Sequence, residues 1–276
     1  MPTLLQPGVP LPEQEPHRHR QLAESFGVDA ERYDRTRPSY PDAMVDRIVA
    51  AAPGPGVLDV GCGTGIEARQ FQAAGCRVLG VEPDARMADF ARHSGVETEV
   101  ATFEDWDPAG RVFDAVIAGQ AWHWIDPVAG AAKAAQALRP GGLLALFWNI
   151  GRPAPEAEEA FAAVTQRVLP GSPAALAAQA KPTQDGYSPL LTKATDGLQQ
   201  AKAFSAPEQW RLDWKRPYTR DEWLDLLPTQ GFHTRLPPDE LQKLLTGIGA
   251  AIDELGGGFT MRYTTLLVSA VRTTDE

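Results

Sequence analysis

An α/β fold built on a mostly parallel sheet follows from three features of the 276-residue sequence. Short apolar runs alternate with helical patterns from Tyr40 onward, and such alternation calls for crossover helices on both sheet faces. The first run, VLDVG (57–61), leads through closely spaced glycines into a helix. The last, FTMRYTTLLVSAVR (259–272), is rich in β-branched residues and follows a helix across three glycines.

The elements follow in order. PDAMVDRIVAAA (41–52) places Met44, Val45, Ile48 and Val49 on one helical face, with Pro41 near its start. VLDVG is continuously apolar up to its glycine, as a strand buried on both faces should be. IEARQFQAAG (66–75) is a helix stopped by Gly75, and RVLGVE (77–82) is the next strand. Asp84 caps a helix through His93. VETEVA (96–101), VFDAVIAG (112–119) and GGLLALFWN (141–149) are further strands, with the helix PVAGAAKAAQALR (127–139) before the last.

After Asn149 the composition changes. Residues 151–200 are rich in alanine and proline, with Phe161 and Tyr187 as their aromatics. A short helix, PEAEEAFAAVTQRVL, precedes a weakly structured stretch, so this region reads as a helical cover or insertion. WRLDWKRPY (210–218) is a strand, and Thr219 with Glu222 forms a capping box ahead of the next helix. PDELQKLLTGIGAAIDEL (238–255) is amphipathic. Residues 1–20, with five prolines and the pair His17 and His19, read as a loosely attached arm. Residues 21–276 read as one domain.

Composition narrows the partners. Acidic residues outnumber basic ones 36 to 26, giving a formal net charge of −10, which disfavours nucleic acid and anionic membranes. The two cysteines, Cys62 and Cys76, cannot build a disulfide scaffold or a four-cysteine zinc site. The apolar stretch 142–150 falls short of the roughly 20 residues a spanning helix needs. The first residues lack a basic start and an apolar run. A reduced, cytoplasmic setting is expected.

The chemistry concentrates in VLDVGCGTG (57–65), where Asp59 precedes Gly61, Gly63 and Gly65 with Cys62 between the first two. Glycine suits positions where a ligand approaches the backbone or φ is positive. A dinucleotide loop would carry its third glycine one position later, and a carboxylate before the loop would repel a pyrophosphate. It suits an ammonium group instead. No G-K-[ST] follows, which excludes a Walker loop. Glu82 ends the second strand at a spacing where a carboxylate accepts both ribose hydroxyls, the alternative being a solvated strand-end acid.

VLDVGCGTG resembles the first motif of class I S-adenosylmethionine-dependent methyltransferases, and four further segments extend the resemblance across 57–149. VLGVEPDARM (78–87) supplies Glu82, Pro83 and Met87; the resemblance implies that Met87 packs on the adenine, whereas its spacing alone suits a core position. ATFEDWD (101–107) is similar to the family's adenine-end segment, implying Thr102, Phe103 and Glu104 around the adenine, although Thr102 replaces the acid common in relatives. FDAVIAGQAWHWID (113–126) and LRPGGLLALFWN (138–149) complete the set, with Gln120 at the cofactor. The resemblance implies a doubly wound, seven-stranded Rossmann-like sheet with six parallel strands and the last antiparallel.

In the small-molecule, type 11-like branch, FGVDAERYDRTRPSYP (26–41) resembles a segment folded over the cofactor. Tyr33 and Arg37 would then meet the methionine carboxylate and Tyr40 the acceptor; the alternative is a solvated helix face. Methyl transfer from a sulfonium is an in-line displacement governed by proximity, and a base matters only for a protonated acceptor of high pKa. His123 is the candidate base, and Trp122, Trp124 and Trp148 are candidate acceptor-pocket walls; structural packing is the competing role. The whole pattern is similar to trans-aconitate-type methyltransferases, which esterify carboxylates, and Arg32, Arg35 and Arg37 would form the cationic receptor. Two other readings stand beside this one: a catalytically silent S-adenosylmethionine-binding protein, and a nicotinamide-dependent oxidoreductase.

Overall fold

In the computed structural model the described residues are 25–179 and 188–273. The arm expected over residues 1–20 lies outside them. Seven strands form one sheet in the order β3-β2-β1-β4-β5-β7-β6: β1 (Gly56–Val60), β2 (Arg77–Glu82), β3 (Glu97–Val100), β4 (Phe113–Gly119), β5 (Leu138–Pro153), β6 (Glu208–Thr219) and β7 (Gly258–Val271). Pairings among β1 to β5 are parallel, while β7 is antiparallel to both β5 and β6. Six strands therefore run one way and the last in sequence runs against them, as the resemblance implied.

Helices α1 (Ala30–Thr36), α2 (Asp42–Ala51), α3 (Ile66–Ala73), α4 (Ala85–His93) and α5 (Pro127–Ala137) belong to the first half of the chain. The second half adds α6 (Pro155–Val168), α7 (Pro173–Gln179), α8 (Ser188–Ala201), α9 (Arg220–Leu226) and α10 (Pro238–Glu254). Strand alternation divides the core between the two sheet faces. On β5, Leu144, Leu146 and Trp148 join the face covered by α5 and α8. Leu143, Ala145 and Phe147 join the face covered by α2 and α3. A third cluster packs α6, α9 and α10 on the β6–β7 hairpin through Tyr218, Trp223, Phe259 and Tyr263.

Two elements differ from expectation. β5 continues to Pro153 because β7 pairs with it over its whole second half, out to Pro153 opposite Met261. The stretch expected to be weakly structured contains α8, whose Leu190, Ala194 and Leu198 are buried at four-residue spacing. Gly197 looks like a helix breaker, yet a Cβ there would lie 2.4 Å from the Pro127 carbonyl oxygen, so the glycine permits α8 to seat on the start of α5. The Thr219–Glu222 capping box forms as read.

Asp114 anchors the amino edge of the sheet. It is 2% exposed, accepts the Gly56 N–H at 2.7 Å and pairs with Arg139 at 3.0 Å. Asp114→Ala would strand that buried N–H and should lower stability by about 1–3 kcal/mol in urea unfolding, with the m-value unchanged.

Candidate functional site

A cavity opens at the carboxyl ends of β1, β2 and β4, roofed by the segment 26–40 and by residues from β5, β7 and α9. Its floor is the glycine loop. Gly61, Gly63 and Gly65 have φ of +69°, +57° and +85°, a region closed to most side chains. A Cβ on Gly61 would also lie 2.5 Å from the Ala121 methyl, so this position needs glycine twice over. The loop is held by Gly61 N–H donating to Val81 O at 2.8 Å, and by Gly65 N–H donating to Cys62 O at 2.8 Å.

Glu82 is buried, and its two oxygens accept the Gly63 and Asp84 N–H groups, each at 2.9 Å. Burial raises its pKa to about 7 against those two bonds. An ionised carboxylate has about four acceptor sites, so two remain for a ligand's hydroxyls. Asp84 in turn caps α4 by accepting the Arg86 N–H at 2.9 Å. That helix brings the buried Met87 to the cavity, beside Gly63, Pro83, Thr102, Phe103 and Glu104. Thr102 donates to Asp105 at 2.7 Å, which occupies its hydroxyl hydrogen, and Phe103 packs near Trp106 and Trp122.

Asp59 and Gly65 do not line the cavity; Asp59 lies fully buried beneath the loop, with both oxygens unpartnered among the described residues. Its pKa is pushed well up by burial and by the nearby Glu67 and Glu82. Glu67, one residue into α3, lines the cavity together with Glu82 and was not anticipated from the sequence. Burial raises Glu67 to about 8. A methyl placed on Gly119 would lie 2.6 Å from Glu67 Oε1 and 2.8 Å from the Tyr40 hydroxyl, so both polar groups crowd the end of β4.

Arg37 lines the same cavity. It is 7% exposed, its Nη2 donates to Thr229 O, and its Nε and Nη1 have no partner among the described residues. Among the described residues no ion pair involves it; its guanidinium lies 4.7 Å from the centroid of the Tyr33 ring, and Tyr263, Tyr218 and Tyr40 also act on its charge. Burial lowers its pKa. The neighbouring arginines do not share this role. Arg32 and Arg35 both bind Asp225 at 2.9 Å, which disposes of the three-arginine receptor.

The aromatic turn is split. Trp122–Trp124 is a 3₁₀ turn, so successive side chains diverge by about 120°. Trp124 lines the cavity, whereas Trp122 and His123 line a second one under α8. Trp148 also faces the second cavity, because alternation along β5 sends it away from Phe147 and Asn149. His123 is therefore not placed as a base beside the glycine loop. Gln120 is in the cavity, at φ +56°, with its Nε2 donating to Asn149 O at 2.8 Å and its Oε1 unpartnered among the described residues. Asn149 and Tyr263 line it too and were not anticipated.

With this geometry in place, comparison with known proteins is informative. Residues 58–146 match the family model Methyltransf_11, a methyltransferase domain. An uncharacterized methyltransferase of Mycobacterium tuberculosis is 39% identical over 132 residues, 47% of this chain and 54% of that protein. A malonyl-(acyl-carrier protein) O-methyltransferase of Enterobacter lignolyticus is 30% identical over 152 residues, 53% of this chain and 60% of that protein. The chain thus spans about half the length of these curated relatives. The solved structure of a candidate type II methyltransferase from Anaeromyxobacter dehalogenans superposes with a TM-score of 0.60 at 24% identity, covering 87% of this chain and 99% of that one. The chain thus shares the fold of that methyltransferase structure, and its residues 58–146 match a methyltransferase domain.

Two expectations follow. Gly61→Ala should lower stability by about 1–3 kcal/mol, from overpacking against Ala121 and the left-handed φ, as read by thermal unfolding. The buried carboxyls set a pH dependence. The folded chain holds protons on Glu67 and Glu82 up to about 8 and about 7, whereas the ordinary value is 4.5. Stability without ligand therefore falls as pH rises through that interval. Glu67→Gln should flatten the decline in Tm between pH 5 and 8; an unchanged slope would remove Glu67 from this account.

Proposed function

We propose that this protein transfers a methyl group from S-adenosylmethionine to a small-molecule acceptor. One observation carries the reading: the same cavity is lined by a buried guanidinium, two of whose donors have no partner among the described residues, and by two buried carboxyls, Glu67 and Glu82. That charge arrangement suits a ligand with an amino-acid end and a diol. Arg37, backed by Tyr33, receives the methionine carboxylate; Glu67 receives the ammonium; and Glu82 accepts from the ribose hydroxyls. Met87, Phe103 and Pro83 offer an apolar slot for the adenine. Relatives named as methyltransferases support the same assignment.

Bound S-adenosylmethionine supplies an electrophilic methyl on a sulfonium. The chain's part is to bind, align and exclude water, which can provide roughly 7–11 kcal/mol without a dedicated acid or base. Trp124 and Tyr40 lie where the acceptor would approach, beyond the carboxyl end of β4. In this reading residues 21–276 act as one domain with 151–200 as its cover, and nucleic acid and membranes are not partners. Among the described residues no helix is long and apolar enough to cross a membrane.

A carboxylate acceptor is the second reading, favoured by Arg37 and by the O-methyltransferase named among the relatives. It asks Arg37 to serve the acceptor, since Arg32 and Arg35 are occupied by Asp225.

Isothermal titration should show S-adenosylmethionine binding that weakens at least tenfold, about 1.4 kcal/mol, in Glu82→Ala and in Glu67→Gln. Thermal shifts with NAD in place of S-adenosylmethionine, or unchanged affinity in both variants, would overturn the assignment. A labelled-methyl screen of a metabolite mixture should yield a methylated product. Arg37→Met then separates the two readings: weaker cofactor binding assigns the guanidinium to methionine, and a raised acceptor KM at unchanged cofactor affinity assigns it to the acceptor.

A further inference from the structure

The second cavity, under α8, is not used by any step above. Its volume is about 320 Å³, within the range of roughly 300–1,000 Å³ found for small-molecule sites. Trp122, Trp148 and His123 line it, and Trp122 Nε1, Trp148 Nε1 and both His123 ring nitrogens are buried without a hydrogen-bond partner among the described residues. Trp122 and Trp148 are 2% and 1% exposed. Three unpaired polar side chains converging on one chamber are rare in a native interior, where buried donors are almost always matched.

The chemistry of the lining is specific. Indole N–H groups only donate. Burial holds His123 well below its ordinary pKa, so its ring is neutral and adds one donor and one acceptor. Most of the remaining walls are apolar, among them Val128 and Ala194, with Gln200 an exposed polar member. The charged residues are Lys193 and Asp196, exposed and of opposite sign on α8, and Asp126, whose Oδ1 accepts the Val128 and Ala129 N–H groups at the start of α5. With His123 neutral and Asp126 committed to capping α5, the lining favours an uncharged ligand. Ile125 and Leu190 line both cavities, so their side chains form the wall between this chamber and the glycine-loop cavity.

We infer that the chamber beneath α8 binds an uncharged, largely apolar ring or chain that carries a hydrogen-bond-accepting oxygen, held by the indole N–H groups of Trp122 and Trp148. A methyl acceptor too long for the first cavity would lay its body here and its reacting end past Ile125 and Leu190; this placement of the reacting end rests on the methyl-transfer reading, whereas the binding itself does not.

The test uses the full chain, ¹⁵N-labelled, with 2-acetylnaphthalene as probe and 2-ethylnaphthalene as its match without the carbonyl. The indole N–H resonances are assigned through Trp122→Phe and Trp148→Phe. The ketone should shift both resonances saturably, bind at least tenfold tighter than the hydrocarbon, and bind equally with and without saturating S-adenosylhomocysteine. Val128→Trp, which fills a chamber that Val128 lines outside the first cavity, should weaken the probe at least tenfold and leave S-adenosylhomocysteine affinity within twofold. Should that variant misfold, Trp148→Phe keeps a ring and removes the donor, and should weaken the ketone at least threefold without affecting the hydrocarbon. Displacement of the probe by S-adenosylhomocysteine, a shift confined to Trp124, or equal binding of the two probes would each overturn the inference. A chain that binds the probe but not S-adenosylhomocysteine keeps the chamber and loses the methyl-transfer reading; the converse loses the chamber alone.

Discussion

The carboxylate of Glu82 ties together every part of the site that would meet a nucleoside. By accepting the Gly63 and Asp84 N–H groups it fixes the glycine loop against the end of β2 and sets the entry of α4. The Gly63 N–H in the middle of the loop thus has a side-chain acceptor, while Gly61 and Gly65 donate to the backbone oxygens of Val81 and Cys62. Asp84 then caps α4 and brings Met87 over the loop. Burying an acid is unfavourable, and the two backbone donors offset part of that cost. One residue at a strand end thereby governs three elements.

The rest of the site is divided by simple periodicity. Neighbouring side chains on β5 go to opposite faces, so Phe147 meets Tyr40 at 4.7 Å between ring centroids while Trp148 turns under α8. The 3₁₀ turn performs the same division on Trp122, His123 and Trp124. Two chambers of different character result: one lined by buried acids and the Arg37 guanidinium, the other walled largely by aromatic and apolar side chains.

Much of this was legible in the sequence because local chemistry dictates it. Positive φ demands glycine at 61, 63 and 65, and alternating apolar runs demand a covered sheet. The misreadings share a cause, dependence on distant partners. The fate of Arg32 and Arg35 is decided by Asp225, which lies 193 and 190 residues away in the chain. Gly197 makes α8 look broken until Pro127 is seen against it. Glu67 escaped notice since an acid in a helix's first turn already has an ordinary role opposite the macrodipole. The direction of His123 depends on whether its turn is 3₁₀ or α, and five residues of polar and aromatic sequence do not decide that.

The reversed strand β7 has a consequence for how the molecule is made. It inserts between β5 and β6, pairing Leu143 with Val271 and Pro153 with Met261. During synthesis β5 therefore emerges more than a hundred residues before its neighbour and presents an open hydrogen-bonding edge of apolar residues in the meantime. The third aromatic cluster, which includes residues from that last strand, cannot form earlier either. The part of the cavity lined by Tyr263 must wait for β7, whereas the glycine loop and its Glu82 tether are complete within the first hundred residues.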